Sequence, residues 1–328
     1  MNALRRRLLA ASLGLPLGGL PQLAGCTRPE SLVRVAGINW IGSEPLFLAR
    51  ERGYYDDAHL RLIELPSSTA NLMSLASGEV EAATLTLDEL LIAREGQLDV
   101  QVILVFDDSA GADVIMVRPT IRTLAQLRGR RIGVESSSVG ALMLAQLLAA
   151  AQLQPTDVIK VSVTSDHHVA SFEAGEVDAV VCFEPYATQL AARGAKRLLD
   201  SRQFPGLIVD LLVARSDALA ASATQLRQLT AGYFRALDFL AQSPAEGAAL
   251  MAPRLGISSD EVQQALKGVR LMNLAANHAL LGGNTPQLPL LAGAVGKLMA
   301  QAGLLREAPT LNQLMRSDSL PPLPKGAA

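Results

Sequence analysis

The chain has 328 residues, 49% of them apolar and 18% charged, with a formal net charge of −2. That length suits two domains of ordinary size, and the apolar content gives each a sizeable core. The mildly acidic balance, near −5 without the three N-terminal arginines, argues against a nucleic-acid binder, which needs a basic face for phosphates.

Arg5, Arg6 and Arg7 open the chain, and an apolar run from Leu8 to Leu20 comes after them, broken by Pro16 and glycines. Leu23, Ala24, Gly25 and Cys26 close the segment. A charged start, an apolar middle and small residues at the end have the layout of a secretory signal, and the run is too short and broken for a comfortable membrane span. The segment resembles a bacterial lipobox. Residues 1–25 are therefore expected to be a removable signal peptide and Cys26 the lipid-bearing new N-terminus. An ordinary signal with a chance cysteine is the alternative, and the paired arginines leave a twin-arginine export route open. Cys182, the other cysteine, sits in the apolar stretch Ala179 to Phe183 and reads as a buried, inert residue.

An internal repeat at an offset of 97 residues organises the chain beyond this segment. Ser74 to Ala82 aligns with Ser171 to Ala179, each with a glycine (Gly78, Gly175) that ends a helix and an acidic residue before a short apolar strand. Upstream at the same offset, strand Arg34–Ile38 matches Arg131–Glu135, the helical Pro45–Arg52 matches Val139–Ala151, and strand Leu60–Leu65 matches Asp157–Val161. Strand, helix, strand, helix, strand thus occurs twice, which predicts parallel strands with right-handed crossovers in each copy.

Val100–Val105 and Val114–Val117 read as strands flanking a polar loop, Asp107 to Gly111, the first expected crossing between lobes. Leu207–Ala214 is the expected return strand. Helices are expected over Leu226–Gln242, from Ser243-Pro244, from Ser258-Ser259, over Pro286–Gly303 and, briefly, over Leu311–Met315. The fold class is α/β: two Rossmann-like lobes with parallel-sheet cores, joined by two hinge crossings, plus C-terminal helices. Lobe one is 27–107 with 208–320, lobe two is 108–207, and 321–328 is a disordered tail.

Several runs then carry a resemblance. They are Pro45–Ala49 with Gly53-Tyr54-Tyr55, Leu124–Val134, Asp108–Asp113, Gly175–Ala179 and Glu184-Pro185-Tyr186. In this order they resemble the substrate-binding proteins of ABC importers, of the nitrate/sulfonate/taurine and thiamine-precursor group. The resemblance covers roughly residues 33 to 215. It implies a type II periplasmic binding protein fold, a small-molecule ligand in the interlobe cleft, hinge closure, and delivery to an ABC permease and its ATPase. It also implies a periplasmic or cell-surface location, with a lipid anchor at Cys26 as the membrane tie. A monomer without cofactor, metal or catalytic residues is expected. A ligand-sensing lipoprotein and, more distantly, an enzyme of the same fold in thiamine-precursor or menaquinone metabolism are the alternatives.

In open parallel sheets ligands lie beyond the carboxyl ends of strands, so strand-end residues are the candidates. In lobe one these are Asn39, Trp40 and Ser43, then Ser67, Ser68 and Thr69 at a helix start, then Thr86. Asp108 lies at the first crossing. In lobe two they are Ser136, Ser137 and Ser138, His167, and Glu184. Trp40, the single tryptophan, suits an apolar platform. Serines at helix starts suit an anion but also serve as ordinary caps. The acids Glu44, Asp88, Asp107, Asp108, Glu135 and Glu184 near the expected cleft favour a ligand with an amine or N–H donors. Sulfonate, taurine, nitrate and amine- or pyrimidine-like ligands all stay open.

Overall fold

The structure is a computed structural model and describes residues 32–135, 139–307 and 309–324. The expected signal segment, Cys26, the Ser136–Ser138 run and residues 325–328 lie outside the described residues.

The first copy of the repeat folds as β1 (Val33–Gly37), α1 (Glu44–Glu51), β2 (Leu60–Glu64), α2 (Ser68–Ser77) and β3 (Ala82–Thr86). Helix α3 (Leu87–Glu95) and strand β4 (Val100–Ser109) come next. The chain then enters a second sheet as β5 (Asp113–Val117). The second copy is β6 (Arg131–Val134), α4 (Val139–Ala151), β7 (Ile159–Ser162), α5 (His168–Glu173) and β8 (Ala179–Phe183), and α6 (Tyr186–Ala192) and β9 (Lys196–Asp200) complete that lobe. The return to the first sheet is β10 (Val209–Arg215). After it the chain forms helices α7 (Ser216–Ala221), α8 (Ala223–Gln242), α9 (Pro244–Leu255) and α10 (Ser259–Leu266), then β11 (Val269–Leu271), α11 (Leu274–Leu281) and α12 (Leu288–Gln301).

The strand orders are β11-β4-β10-β3-β1-β2 and β7-β6-β8-β5-β9. The repeated triplets, β2-β1-β3 and β7-β6-β8, are parallel in both sheets. Their registers repeat as well: Val35 faces Ala82 in one, and Ile132 faces Ala179 in the other, each 97 residues on. An ion pair is duplicated with them. Arg34 grips Glu81 at 2.6 Å, and Arg131 grips Asp178 at 2.9 Å. Both pairs are partly exposed, so solvent screening keeps their contribution small; they pin the turn into the third strand more than they stabilise the lobe. Gly78 and Gly175, with φ of 79° and 75°, supply the left-handed turns after the preceding helices.

The parallel triplets are the expected sheet cores, and antiparallel strands complete each sheet. β10 runs antiparallel to β3 and β4, and β5 runs antiparallel to β8 and β9. The crossings impose this: a strand that begins at the hinge where β4 ended must run back against it. β4 also continues further than expected, so Asp107, Asp108 and Ser109 are strand residues and the crossing is only Ala110 to Ala112. The two crossings are joined by hydrogen bonds. Ser109 Oγ lies 2.8 Å from Ser201 Oγ, and the Gly111 N–H donates to Ser201 Oγ at 2.7 Å.

Behind the first sheet, α8 is amphipathic and buries Tyr233, whose hydroxyl donates to the Phe106 carbonyl at 3.2 Å. Asn277 on α11 acts as a surrogate strand residue. Its Oδ1 accepts the Val105 N–H at 2.7 Å and its Nδ2 donates to the Val105 carbonyl at 2.9 Å, beside the short β11. The segment 311–315 is not the expected helix. Leu314 and Arg316 exchange backbone hydrogen bonds with Val102, and Met315 bridges it in parallel. The edge of β4 beyond β11 is otherwise open there, and this segment satisfies its backbone groups. Pro321 is tied down rather than loose, since its carbonyl lies 2.8 Å from His278 Nε2.

Candidate functional site

The carboxyl ends of β1 and β3, the start of β10 and the start of β5 converge at the hinge. Between them lies a narrow cavity of about 20 Å³. Lobe one lines it with Ile38 and Trp40 after β1, Ser68 at the start of α2, Thr84 to Thr86 at the end of β3, Glu89 on α3, and Ile208 and Asp210 at β10. Lobe two adds Asp113 at β5, Val139 at α4 and Phe183 at the end of β8. A second, smaller cavity of about 10 Å³ shares Asp113, Val139 and Phe183 and reaches Glu135, His168 and Cys182 in lobe two. The strand-end rule therefore locates the cleft, because parallel strands leave their carboxyl ends free for loops while helices cover the faces.

The aromatic wall is fixed by packing. Trp40 and Phe183 meet edge-to-face with centroids 5.5 Å apart, and Phe183 meets Tyr186 at the same separation. Trp40 Nε1 donates to Asp107 Oδ2 at 3.2 Å. Gly42 makes that approach possible, since any Cβ there would collide with the Asp107 carboxylate and the indole nitrogen.

The dominant electrostatic feature is a set of buried acids. Asp107 and Asp210 stand directly opposite on β4 and β10, and Asp210 also faces Thr86 on β3. Glu89 accepts the Thr86 N–H at 2.9 Å with one oxygen, which caps α3. Its Oε1, Asp113 Oδ2, Asp210 Oδ2 and Asp107 Oδ1 are buried without a hydrogen-bond partner among the described residues. Burial pushes the Asp113 carboxyl up to about 7, against the favourable Ser109 hydroxyl and with the charges of Asp88 and Glu184 adding to it. Burial likewise raises Asp107 to about 8, despite the Trp40 N–H. It raises Asp88 to about 6, and it holds Glu89 and Asp210 well above the carboxylate range, with Asp88 and Asp107 respectively reinforcing the effect. Desolvation of the charged form is the common cause. Arginine, lysine and histidine are missing from the lining of the larger cavity among the described residues.

Side-chain hydrogen bonds cross between the lobes: the Ser165 hydroxyl donates to the Pro66 carbonyl at 3.2 Å, Gln189 Nε2 donates to the Leu255 carbonyl at 3.1 Å, and Glu135 reaches Thr69. Glu135, just after β6, accepts the Thr69 N–H at 2.7 Å and the Thr69 hydroxyl at 2.5 Å. Its carboxylate thus sits at the N-terminus of α2, where the first free N–H groups of a helix point.

Of the sequence-expected residues, the structure brings Trp40, Ser68 and Thr86 onto the larger cavity. Ser67 caps α2, accepting the Ala70 N–H at 3.2 Å. Ser43 is buried behind Trp40, whose carbonyl its hydroxyl reaches at 3.5 Å. Asn39 donates to the Arg254 carbonyl at 3.4 Å, outside both cavities. Asp108 pairs with Arg270 on the other face of the strand pleat. His167 is exposed and pairs with Asp166 at 3.0 Å; its neighbour His168 is the one turned inward, with an imidazole pKa lowered to about 4 by burial. Glu184 is buried at the back of the hinge, where it meets Arg197 at 3.2 Å and accepts the Thr188 N–H at 3.0 Å. Ser136, Ser137 and Ser138 lie outside the described residues.

The residues that strand-end reasoning missed are Glu89, Asp113, Phe183 and Asp210. Asp210 did leave a signal: a lone acid inside the apolar run Leu207 to Ala214. Among the described residues, no group of three or more His, Cys, Asp or Glu side chains is arranged to hold a metal ion.

A two-lobed α/β molecule with a cavity at its hinge defines the periplasmic binding protein class of fold, and known structures agree. The alkanesulfonate-binding protein SsuA from Xanthomonas axonopodis pv. citri, solved with MOPS, superposes with a TM-score of 0.75 at 18% identity, covering 88% of this chain and 98% of that one. The desulfurization enzyme DSZB shares the fold at a TM-score of 0.61 and 19% identity, covering 88% of this chain and 97% of that one. In sequence, the taurine-binding periplasmic protein of Escherichia coli is 27% identical over 154 residues, 46% of this chain and 48% of that protein. A putative aliphatic sulfonates-binding protein of Escherichia coli is 25% identical over 147 residues, 44% of this chain and 46% of that protein. The matched region thus spans about half the length of these curated relatives. The family described as NMT1/THI5 like matches residues 40–247, and the chain belongs to it.

Proposed function

We propose that this protein is an extracytoplasmic solute-binding protein that encloses one small polar molecule between its lobes and delivers it to an ABC permease and its ATPase. The observation that carries the reading is the cavity at the hinge, walled by both lobes and by Trp40 and Phe183 on its apolar side. The paired hydroxyls of Ser109 and Ser201 join two short crossings, the arrangement that lets each lobe move as a body while a few residues absorb the change. Lobe one is taken as 27–107 with 208–320, and lobe two as 108–207. The enzyme reading has little support from the cleft's thiol: burial raises the Cys182 pKa well above its ordinary value, which keeps it an unreactive thiol.

Trp40 is the single tryptophan, so its emission reports on this cleft. The full chain, incubated with a small-molecule extract of bacterial culture, should retain one compound at 1:1 in native mass spectrometry and show a change in Trp40 fluorescence. An unchanged emission together with no retained compound refutes the capture reading. The lipid anchor is a separate part of the proposal, resting on Leu23 to Cys26. Radiolabelled palmitate should be incorporated and then lost in Cys26→Ser; label retained in that variant refutes it.

A further inference from the structure

We propose that the cleft takes a small organic cation, an amine or guanidine received by the carboxylates of Glu89, Asp113 and Asp210, and not a sulfonate or nitrate. This rests on the capture reading above and assigns the charge of the captured solute.

Three observations carry it. The first is the donor balance of the lining. Three acids from three elements (α3, β5 and β10) face one cavity, and the described lining offers no cationic side chain to an anion. The second is that these acids are unfinished. Glu89 Oε1, Asp113 Oδ2 and Asp210 Oδ2 are buried acceptors without partners among the described residues, although Glu89 is only 1% exposed and Asp113 only 3%. Buried acceptors are nearly always satisfied in folded proteins, and leaving one bare costs about 1–3 kcal/mol. A guest bringing N–H donors satisfies all three at once. The third is the fate of the helix start on the lobe-one side of the cleft. At α2 the Thr69 N–H and hydroxyl, which would suit an oxyanion, are taken by the chain's own Glu135, reaching over from lobe two, and the Ala70 N–H is taken by Ser67 Oγ. A sulfonate entering there would have to displace a carboxylate and then lie among further acids.

The walls limit the guest's shape. Ile38, Leu85, Val139 and Ile208, with the Trp40 and Phe183 rings, leave an apolar sleeve around the acids. A cation with a short hydrocarbon body fits this better than a bare metal ion, which would leave those walls idle. An aromatic face also attracts an organic cation.

The test uses pairs matched in shape and opposite in charge. n-Butylamine and 1-butanesulfonate share a tail, and agmatine adds a guanidinium at a second end; nitrate and taurine complete the set. Thermal melting and Trp40 fluorescence are read for the full chain at up to about 10 mM of each, a range that reveals even weak binding as a shift in melting. Agmatine and n-butylamine should raise the melting temperature and change the emission, while 1-butanesulfonate and nitrate do neither. Asp113→Asn and Asp210→Asn should each weaken agmatine at least tenfold while melting no lower than the wild type without ligand. A response to 1-butanesulfonate or nitrate alone overturns the charge assignment and leaves the capture reading standing. Silence of both cations over the same range also overturns the assignment. A silent Trp40 together with no compound retained from the culture extract, by contrast, overturns the capture reading itself. If the Asn variants melt well below wild type, the acids are structural and the proposal fails.

Discussion

Replacing Asp113 by asparagine should stabilise the ligand-free protein, by an amount that grows with pH. The side chain is 3% exposed, and burial moves its carboxyl from about 3.8 in the unfolded chain to about 7 in the fold. A carboxyl raised on folding binds its proton more tightly in the native state, so stability is fully present below pH 4 and falls as pH rises towards 7. Integrated over that window, the cost of Asp113 is negligible near pH 3, roughly 2 kcal/mol at pH 5 and ~4 kcal/mol at pH 8. Asparagine nearly matches the side chain's shape and retains an oxygen for the Ser109 hydroxyl, but it does not ionise. The gap between variant and wild type should therefore open from nothing at pH 3 to on the order of 2–4 kcal/mol at pH 8, with water entering the cleft relaxing part of the full figure. Urea unfolding followed by circular dichroism at pH 3, 5, 6.5 and 8 measures it. Two parallel stability curves, or a variant less stable than wild type at pH 8, would refute the electrostatic reading of the cleft.

Glu135→Gln should loosen the contact between lobes, because an amide oxygen accepts the two Thr69 bonds less strongly than a carboxylate; a shift of about 1–2 kcal/mol towards the open form is expected, seen as a larger radius of gyration in small-angle scattering. An unchanged radius would count against the latch. Ser201→Ala removes the acceptor of the Gly111 N–H and the partner of Ser109 at the hinge, and about 1–3 kcal/mol of stability should go with it, measured by chemical unfolding. A cost near zero would mean water replaces the hydroxyl. Asn277→Ala leaves both polar groups of Val105 without their side-chain partner and should cost about 2–4 kcal/mol, with faster amide exchange at Val105.

The two copies were legible because a repeat is a local pattern. Gly78 and Gly175 end helices, Glu81 and Asp178 precede strands, and 97 residues separate them. The register of β1 on β3 and of β6 on β8 obeys the same offset, as do the Arg34–Glu81 and Arg131–Asp178 pairs. Trp40, Ser68 and Thr86 come to the cavity for a related reason: a strand leading into a helix start fixes where its loop points. The direction of β5, β9 and β10 was not legible, since it depends on where the chain crosses between lobes and not on the residues of those strands. The segment 311–315 misled for the same reason. Its apolar spacing allows a helix, and only the open edge of β4 selects an extended partner.

By itself, then, the sequence determined the duplicated α/β plan, the cleft at the strand ends and the aromatic that walls it, because periodicity and turn chemistry act over a few residues. Tertiary structure alone decided the electrical character of the cleft. Glu89, Asp113 and Asp210 are 24 and 97 residues apart in sequence yet line one cavity, and Glu135 crosses from the other lobe to cap α2. Charge in a low-dielectric cavity depends on what surrounds it in space, and no local pattern records that.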